Sequence, residues 1–282
     1  MPKKVFICSD STCDLGEELI RRYDVQILPL GVNLGEKLYT DGVDIDPDTI
    51  YSHYEQTGEL PKTSAVNVDE FMTFFARCAK EDASVVVFTI SSEMSSTFNN
   101  ARLAAQEFED VHVVDTRNLS TGGGLLVCAA GDMAKAGMDA KEIAQKCSGL
   151  TDKIVASFVV DDLTFLHKGG RCSALAAIGA NLVQIKPCIG VSGGKMSVVK
   201  KYRGRFGPVL KKYAAELMEE ASEADLTRVF VTHAGCDEEI VEQCVSMVKE
   251  ALPFKEIIVA RAGCTISSHC GRNTLGILFM KR

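Results

Sequence analysis

The sequence predicts an α/β fold of two domains, the first a mostly parallel sheet with flanking helices, the second α+β. Three observations carry this. Short β-branched runs alternate with longer helical patterns, several strand candidates are continuous apolar runs, and the second half holds two neighbouring strands joined through Ser192-Gly193-Gly194. Alternation of this kind is the signature of βαβ units. A run such as V-V-V-F-T-I at 85–90 belongs to a strand covered by helices on both faces.

Along the chain, strands are predicted at 5–9, 25–32, 84–91, 111–115 and 154–160, then at 228–233 and 256–261. Each is rich in residues that suit a pleated, buried surface. Helices are predicted at 15–23, 47–57, 68–80, 95–107, 119–136, 140–150, 207–224 and 236–251. Asp14, followed three residues later by Glu17, reads as the N-cap of the first helix with a capping box. Strands at 184–190 and 196–203 form an antiparallel hairpin. With no internal repeat or long linker, the boundary rests on the polar, turn-rich D-D-L-T-F-L-H-K-G-G-R segment after residue 160. The domains are accordingly 1–160 and 161–282.

The composition bounds the function. The chain has 282 residues, 46% hydrophobic and 24% charged, inside the ordinary range of soluble globular proteins. Its formal net charge is −7, which offers no general field to nucleic acid or anionic lipid. The apolar stretch after Met1-Pro2-Lys3-Lys4 is too short for a signal peptide, and no run approaches the ~18 apolar residues of a spanning helix. The expectation is a cytoplasmic protein without stable membrane insertion. Eleven cysteines without a C-x-x-C are expected to be reduced and buried, with no metal site.

The usual catalytic fingerprints are missing. The turn after the first strand reads S-D-S-T-C-D-L, without a dinucleotide or Walker glycine loop, and no G-x-S-x-G elbow occurs. T-G-G-G-L at 121–125 follows a strand and opens a helix. It could cradle a phosphate, but close helix–sheet packing is the commoner reason for such glycines.

Three segments accumulate hydroxyls. In P-K-T-S at 61–64, Thr63 and Ser64 precede a helix that Ser64 or Asn67 could cap. T-I-S-S-E-M-S-S-T-F-N-N at 89–100 lies at the carboxyl end of a buried strand, where open α/β sheets bind ligands. Its leading candidate is Ser95. In A-G-C-T-I-S-S-H-C-G-R-N at 262–273, His269 follows a strand among serines. A single histidine is more often structural than functional, and His233 has the same ambiguity.

With these segments in view, the whole chain resembles the DegV family of bacterial fatty-acid-binding proteins, which includes the acyl-carrying subunits of fatty acid kinase. The resemblance is carried by S-D-S-T-C-D-L at 9–15, Pro29-Leu30, Tyr39-x-Asp41, P-K-T-S at 61–64, S-S-E-M-S-S-T-F at 91–98 and V-V-D-T at 113–116. It continues through L-H-K-G-G-R at 166–171, I-K-P at 185–187, K-Y-R-G at 201–204 and the segment ending in His269. It implies a two-domain protein holding one long-chain fatty acid between its domains, as ligand and without a cofactor. Thr63 and Ser95 match the family's two hydroxyls on the carboxylate, and His269 matches its nearby histidine. Arg171 and Arg203 match arginines associated with phosphoryl transfer or docking of the ATP-binding kinase subunit. The chain departs from the family at Met94-Ser95-Ser96-Thr97-Phe98, where L-S-G-T-Y is common, and at His269-Cys270-Gly271-Arg272-Asn273, where H-T-G-P-G is common.

The leading expectation is therefore a non-enzymatic lipid carrier that presents a fatty acid to a kinase catalytic subunit. The alternatives are a serine-dependent acyl hydrolase using Ser95 with His269 as base, and a phosphate-ligand binding protein built on 121–125.

Overall fold

The computed structural model describes residues 3–172 and 185–282. Strand β1 (Lys4–Asp10) ends in a short 3-10 turn, and helix α1 (Glu17–Tyr23) follows. Next come β2 (Gln26–Leu28), β3 (Gly31–Leu34), β4 (Lys37–Thr40), α2 (Pro47–Thr57), β5 (Lys62–Ser64) and α3 (Val68–Lys80). The first half continues with β6 (Ala83–Thr89), α4 (Thr97–Ala105), β7 (Val111–Asp115), α5 (Thr121–Lys135) and α6 (Ala140–Leu150). Beyond these lie β8 (Ile154–Val160), α7 (Thr164–Lys168), β9 (Ile185–Ser192), β10 (Lys195–Arg203) and α8 (Phe206–Glu219). The chain closes with β11 (Ala224–Ala234), α9 (Glu238–Ala251), β12 (Glu256–Arg261), α10 (Cys264–Cys270) and β13 (Thr274–Lys281).

These elements form a four-stranded parallel sheet, β2-β1-β6-β7, and a six-stranded mixed sheet, β10-β9-β8-β13-β11-β12. A small antiparallel sheet, β4-β3-β5, stands apart. Alternation along β6 explains the layering, because successive side chains point to opposite faces. Val85 and Val87 meet Phe71 and Phe75 of α3, while Val86 and Phe88 meet Leu125 and Leu126 of α5 and Ile143 of α6. The same α5–α6 layer then packs on Ala156, Phe230 and Leu278 of the mixed sheet. Helices α8 and α9 cover that sheet's far face through Leu210, Tyr213 and Val248. A layer of helices thus lies between two sheets, each with further helices outside.

A helix sandwiched this way must be apolar all round and slim. The glycines of 121–125 meet that need rather than a phosphate. A Cβ on Gly124 would lie 2.7 Å from the carbonyl oxygen of Cys13, and one on Gly131 would lie 2.3 Å from the Tyr23 ring. All of the cysteines but Cys236 are buried, in keeping with their use as small hydrophobes.

Several expectations are corrected. Asp14 does not cap α1: its backbone is left-handed at φ 49°, Gly16 occupies the cap, and the Asp14 carboxylate turns inward. Residues 25–32 are two strands in different sheets, because Pro29 lacks an N–H for a continued ladder. Asn67, not Ser64, caps α3, in a reciprocal capping box with Glu70. Helix α8 ends at Glu219, where the predicted pattern runs to 224. The hairpin is present as β9 and β10 and pairs in the expected antiparallel register. Its predicted start at residue 184 lies outside the described residues. Among the described residues no helix is long and apolar enough to cross a membrane.

The sandwiched layer predicts opposite signs for two helical glycines. Gly124→Ala gains up to ~1 kcal/mol of helix propensity but pushes into a backbone carbonyl, and overpacking of ~1–3 kcal/mol dominates. Gly149→Ala, whose new methyl meets nothing within 4 Å, stabilises by a few tenths to about 1 kcal/mol. Chemical denaturation of both variants reads the two signs, and stabilisation by Gly124→Ala would refute the close packing.

Candidate functional site

The parallel strands end beside the mixed sheet in an apolar cluster of Ile90, Leu119, Phe158, Leu166, Ile189, Met196, Ile266 and Cys270. Within it opens a cavity of about 360 Å³, bounded also by Leu30, Thr63, Ser95, Arg171, Thr265 and His269. A narrow apolar cleft of about 40 Å³ shares Leu119, Phe158, Ile266 and Cys270 with it and runs along β8, β11 and β13 toward Ala156, Ala234 and Leu278. The polar groups are thus gathered in the larger space, and the extension is almost wholly apolar.

Thr63, Ser95 and His269 come from three separate elements. Thr63 is the middle residue of β5, held opposite Val32 of β3. Ser95 lies in the turn between β6 and α4, its amide bonded to Ser91 O at 3.1 Å. Its hydroxyl lies 2.9 Å from Thr97 Oγ1 and accepts from the Thr97 amide at 3.2 Å. His269 sits near the end of α10, with Nε2 2.8 Å from Thr63 Oγ1. Arg171 is exposed at the cavity rim and donates to Gly169 O at 2.6 Å. Arg203 is not brought to the cavity: it is exposed at the end of β10, opposite Ile185.

Burial sets the protonation of the histidine. Withdrawal from water, reinforced by the charge of Arg171, lowers its pKa from 6.5 to about 4. The ring is neutral at physiological pH, so one of its nitrogens carries a proton and the other a lone pair. The L-H-K-G-G-R segment has a physical reason here. A Cβ on Gly169 would lie 2.7 Å from His269 Nδ1, and Gly170 turns the chain at φ 70° toward Arg171. His233 borders the narrow cleft, also with a lowered pKa through burial and Arg261.

Sequence reasoning missed what holds α10 in place. Asp41 accepts from the amides of Cys264 at 2.9 Å and Thr265 at 3.1 Å, and from Ser11 Oγ at 2.9 Å. Asp14 accepts from the Gly263 amide at 2.8 Å and from Ser120 Oγ at 2.5 Å. Burial raises Asp14 to about 8 and Asp10 to about 6, against the hydrogen bonds each accepts. Asp10 and Asp14 lie in S-D-S-T-C-D-L and Asp41 in Tyr39-x-Asp41, but the α10 amides that Asp14 and Asp41 hold lie 249 and 223 residues away, beyond any local pattern.

The family model described as "Uncharacterised protein, DegV family" matches residues 4–282. The chain belongs to the DegV family. A DegV domain-containing protein of Clostridium perfringens is 32% identical over 287 residues, covering 99% of this chain and 98% of that one. A solved DegV family protein from Thermus thermophilus, described by its fatty acid binding, superposes with a TM-score of 0.92 at 28% identity, over 99% of this chain and 100% of that one. A Thermotoga maritima protein described as revealing fatty acid binding function gives 0.86 at 28%, with coverage of 99% and 100%. DegV of Bacillus subtilis, described as a fatty acid binding protein, gives 0.87 at 26%, again covering 99% and 100%. The match to the DegV model spans all three sheets and all three hydroxyl-bearing segments.

The buried imidazole gives this DegV family member a pH signature. As pH falls from 6.5 toward 4, the unfolded chain protonates this ring and the folded chain does not. Stability that is complete above the unfolded pKa is therefore lost across that window. The thermal midpoint should fall less between about pH 7 and about pH 4.5 in His269→Gln than in the parent. Equal losses in the two proteins would mean that the ring is solvated.

Proposed function

We propose that this chain binds one long-chain fatty acid, its carboxylate at Thr63, Ser95 and His269, and presents that carboxylate to a separate fatty acid kinase catalytic subunit for phosphorylation. The observation that carries the reading is the cavity itself. Its walls are apolar, and apart from Arg171 at the rim its polar side chains are uncharged alcohols and a neutral histidine. Its volume of about 360 Å³ falls within the ~300–1,000 Å³ of small-molecule sites. In this reading the head-group loops of Thr63 and Ser95 belong to residues 1–160, and His269 closes on them from 161–282. The fatty acid binding described for the Thermus, Thermotoga and Bacillus relatives supports it.

The chemistry of the polar groups suits the task. Alcohols donate to a carboxylate and accept from its protonated form, so they hold either state. Thr63 and His269 already share one hydrogen bond. If Nε2–H donates to Thr63, the Thr63 hydroxyl proton is left for the ligand. Arg171 and Arg203 form no ion pair among the described residues, and exposed guanidiniums suit phosphate or an acidic partner surface.

The two alternatives lose their support. A serine hydrolase needs its base on its nucleophile, whereas Ser95 is bonded to Thr97 and His269 to Thr63. A phosphate site at 121–125 has no room, because Gly122 and Gly124 abut Asn118 and Cys13.

Native mass spectrometry of gently purified protein should find a bound long-chain acid, and added palmitate should bind the delipidated chain. Ser95→Ala should weaken palmitate binding about tenfold or more, the loss of one hydrogen bond to a charged group. Protein that carries no lipid and binds no added acid would end the reading. For presentation, Arg171→Ala and Arg203→Ala should retain palmitate yet slow acyl phosphate formation by an added kinase subunit with ATP. Unchanged turnover in both would remove the partner from the proposal.

A further inference from the structure

Alcohol side chains in helices ordinarily satisfy themselves on nearby backbone carbonyls. Ser267 of α10 does so, donating to Ala262 O at 3.2 Å, and Thr274 just beyond donates to Cys270 O at 3.1 Å. Thr265 behaves differently. It is only 3% exposed, yet its Oγ1 has no hydrogen-bond partner among the described residues. The Thr265 amide is committed elsewhere, to Asp41 Oδ2 at 3.1 Å, so its backbone is fixed while its hydroxyl is free.

A buried hydroxyl without a partner is costly, and what distinguishes this one is where it lies. Thr265 borders the same cavity as Thr63, Ser95 and His269. Ser268 Oγ is also buried and unpartnered, but it does not border that space. Thr265 precedes His269 by four residues, so the two share one face of α10 with Cβ atoms roughly 5–6 Å apart. A carboxylate has two oxygens and about four acceptor directions, more than the hydroxyls of Thr63 and Ser95 can fill.

We propose that Thr265 is a third alcohol donor to the acyl carboxylate, completing a set with Thr63 and Ser95. This rests on the fatty acid reading above and deepens it. Asp41 is then a positioning residue for two groups at once, since it holds the start of the helix that bears both Thr265 and His269.

The test compares palmitate with hexadecanol, which has the same tail and no charge to be hydrogen-bonded, on the full chain. Thr265→Val keeps the side-chain shape and removes the hydroxyl, while Thr265→Ser keeps the hydroxyl. Thr265→Val should bind palmitate about five- to tenfold more weakly and hexadecanol within about twofold of the parent. Thr265→Ser should stay within about twofold for both ligands. Undiminished palmitate binding by Thr265→Val would overturn the role of Thr265 alone, and so would equal losses for acid and alcohol, which would mark a packing role. A parent chain that binds no palmitate would overturn this inference together with the reading beneath it.

Discussion

Two buried aspartates fasten the molecule together. Asp14 follows β1 of the parallel sheet, Asp41 follows β4 of the small sheet, and both grip the start of α10, which links two strands of the mixed sheet. A Cβ on Gly263 would lie 3.1 Å from Asp14 Oδ1 and 3.5 Å from Asp41 Oδ1, so the two side chains flank one backbone atom. The first amides of a helix have no partner within it, and an acidic group there also meets the positive end of the peptide dipoles. Three sheets thereby converge on one short helix, and the cavity lies where they meet.

Burial of Asp14 and of its neighbour Asp10 has a cost that the surrounding hydrogen bonds only partly offset, as their raised pKa values record. The same loss of water acts on His269 in the opposite chemical sense, because there the neutral form is the base. The result is a space whose inner polar side chains bear no positive charge, with Arg171 at the edge. In such surroundings hydrogen bonds are electrostatically stronger than in water, so a few alcohols can define where an oxygen-bearing group sits.

The framework was legible wherever local pattern decides structure. The apolar run at 85–90 became β6, and the Gly-Gly turn became the β9–β10 hairpin, because each signal lies within one element. Strand β13 was not anticipated, since T-L-G-I-L-F-M-K lacks alternation and has a glycine inside, a pattern that a helix could equally give. Helix α10 is seven residues long, too short for a periodic stripe. At the site, Ser95 stood out because it lies at the end of a buried strand, and its two bonds to Thr97 were within local reach. The Thr63–His269 contact joins residues 206 positions apart, and no spacing rule connects them. Asp14 was misread for the same reason: a local capping pattern was available, while its true partners, Ser120 and Gly263, are distant in sequence.

This division also separates affinity from position. Burying an apolar chain yields about 0.8 kcal/mol per methylene, so about fifteen methylenes would gross on the order of 12 kcal/mol. Loss of free motion on association removes roughly 4–15 kcal/mol. A few alcohol hydrogen bonds, each of order 1 kcal/mol net, cannot match the tail term. In the proposed reading they set the angle and depth of the head group, because Thr63, Ser95 and Thr265 are each anchored through backbone whose geometry is fixed by β3, Ser91 and Asp41. A site that offers a carboxylate to another molecule, the task proposed above for this chain, gains little from gripping that carboxylate with a buried cation, which would neutralise the very oxygen that must attack. Neutral donors hold it in place and leave its charge available.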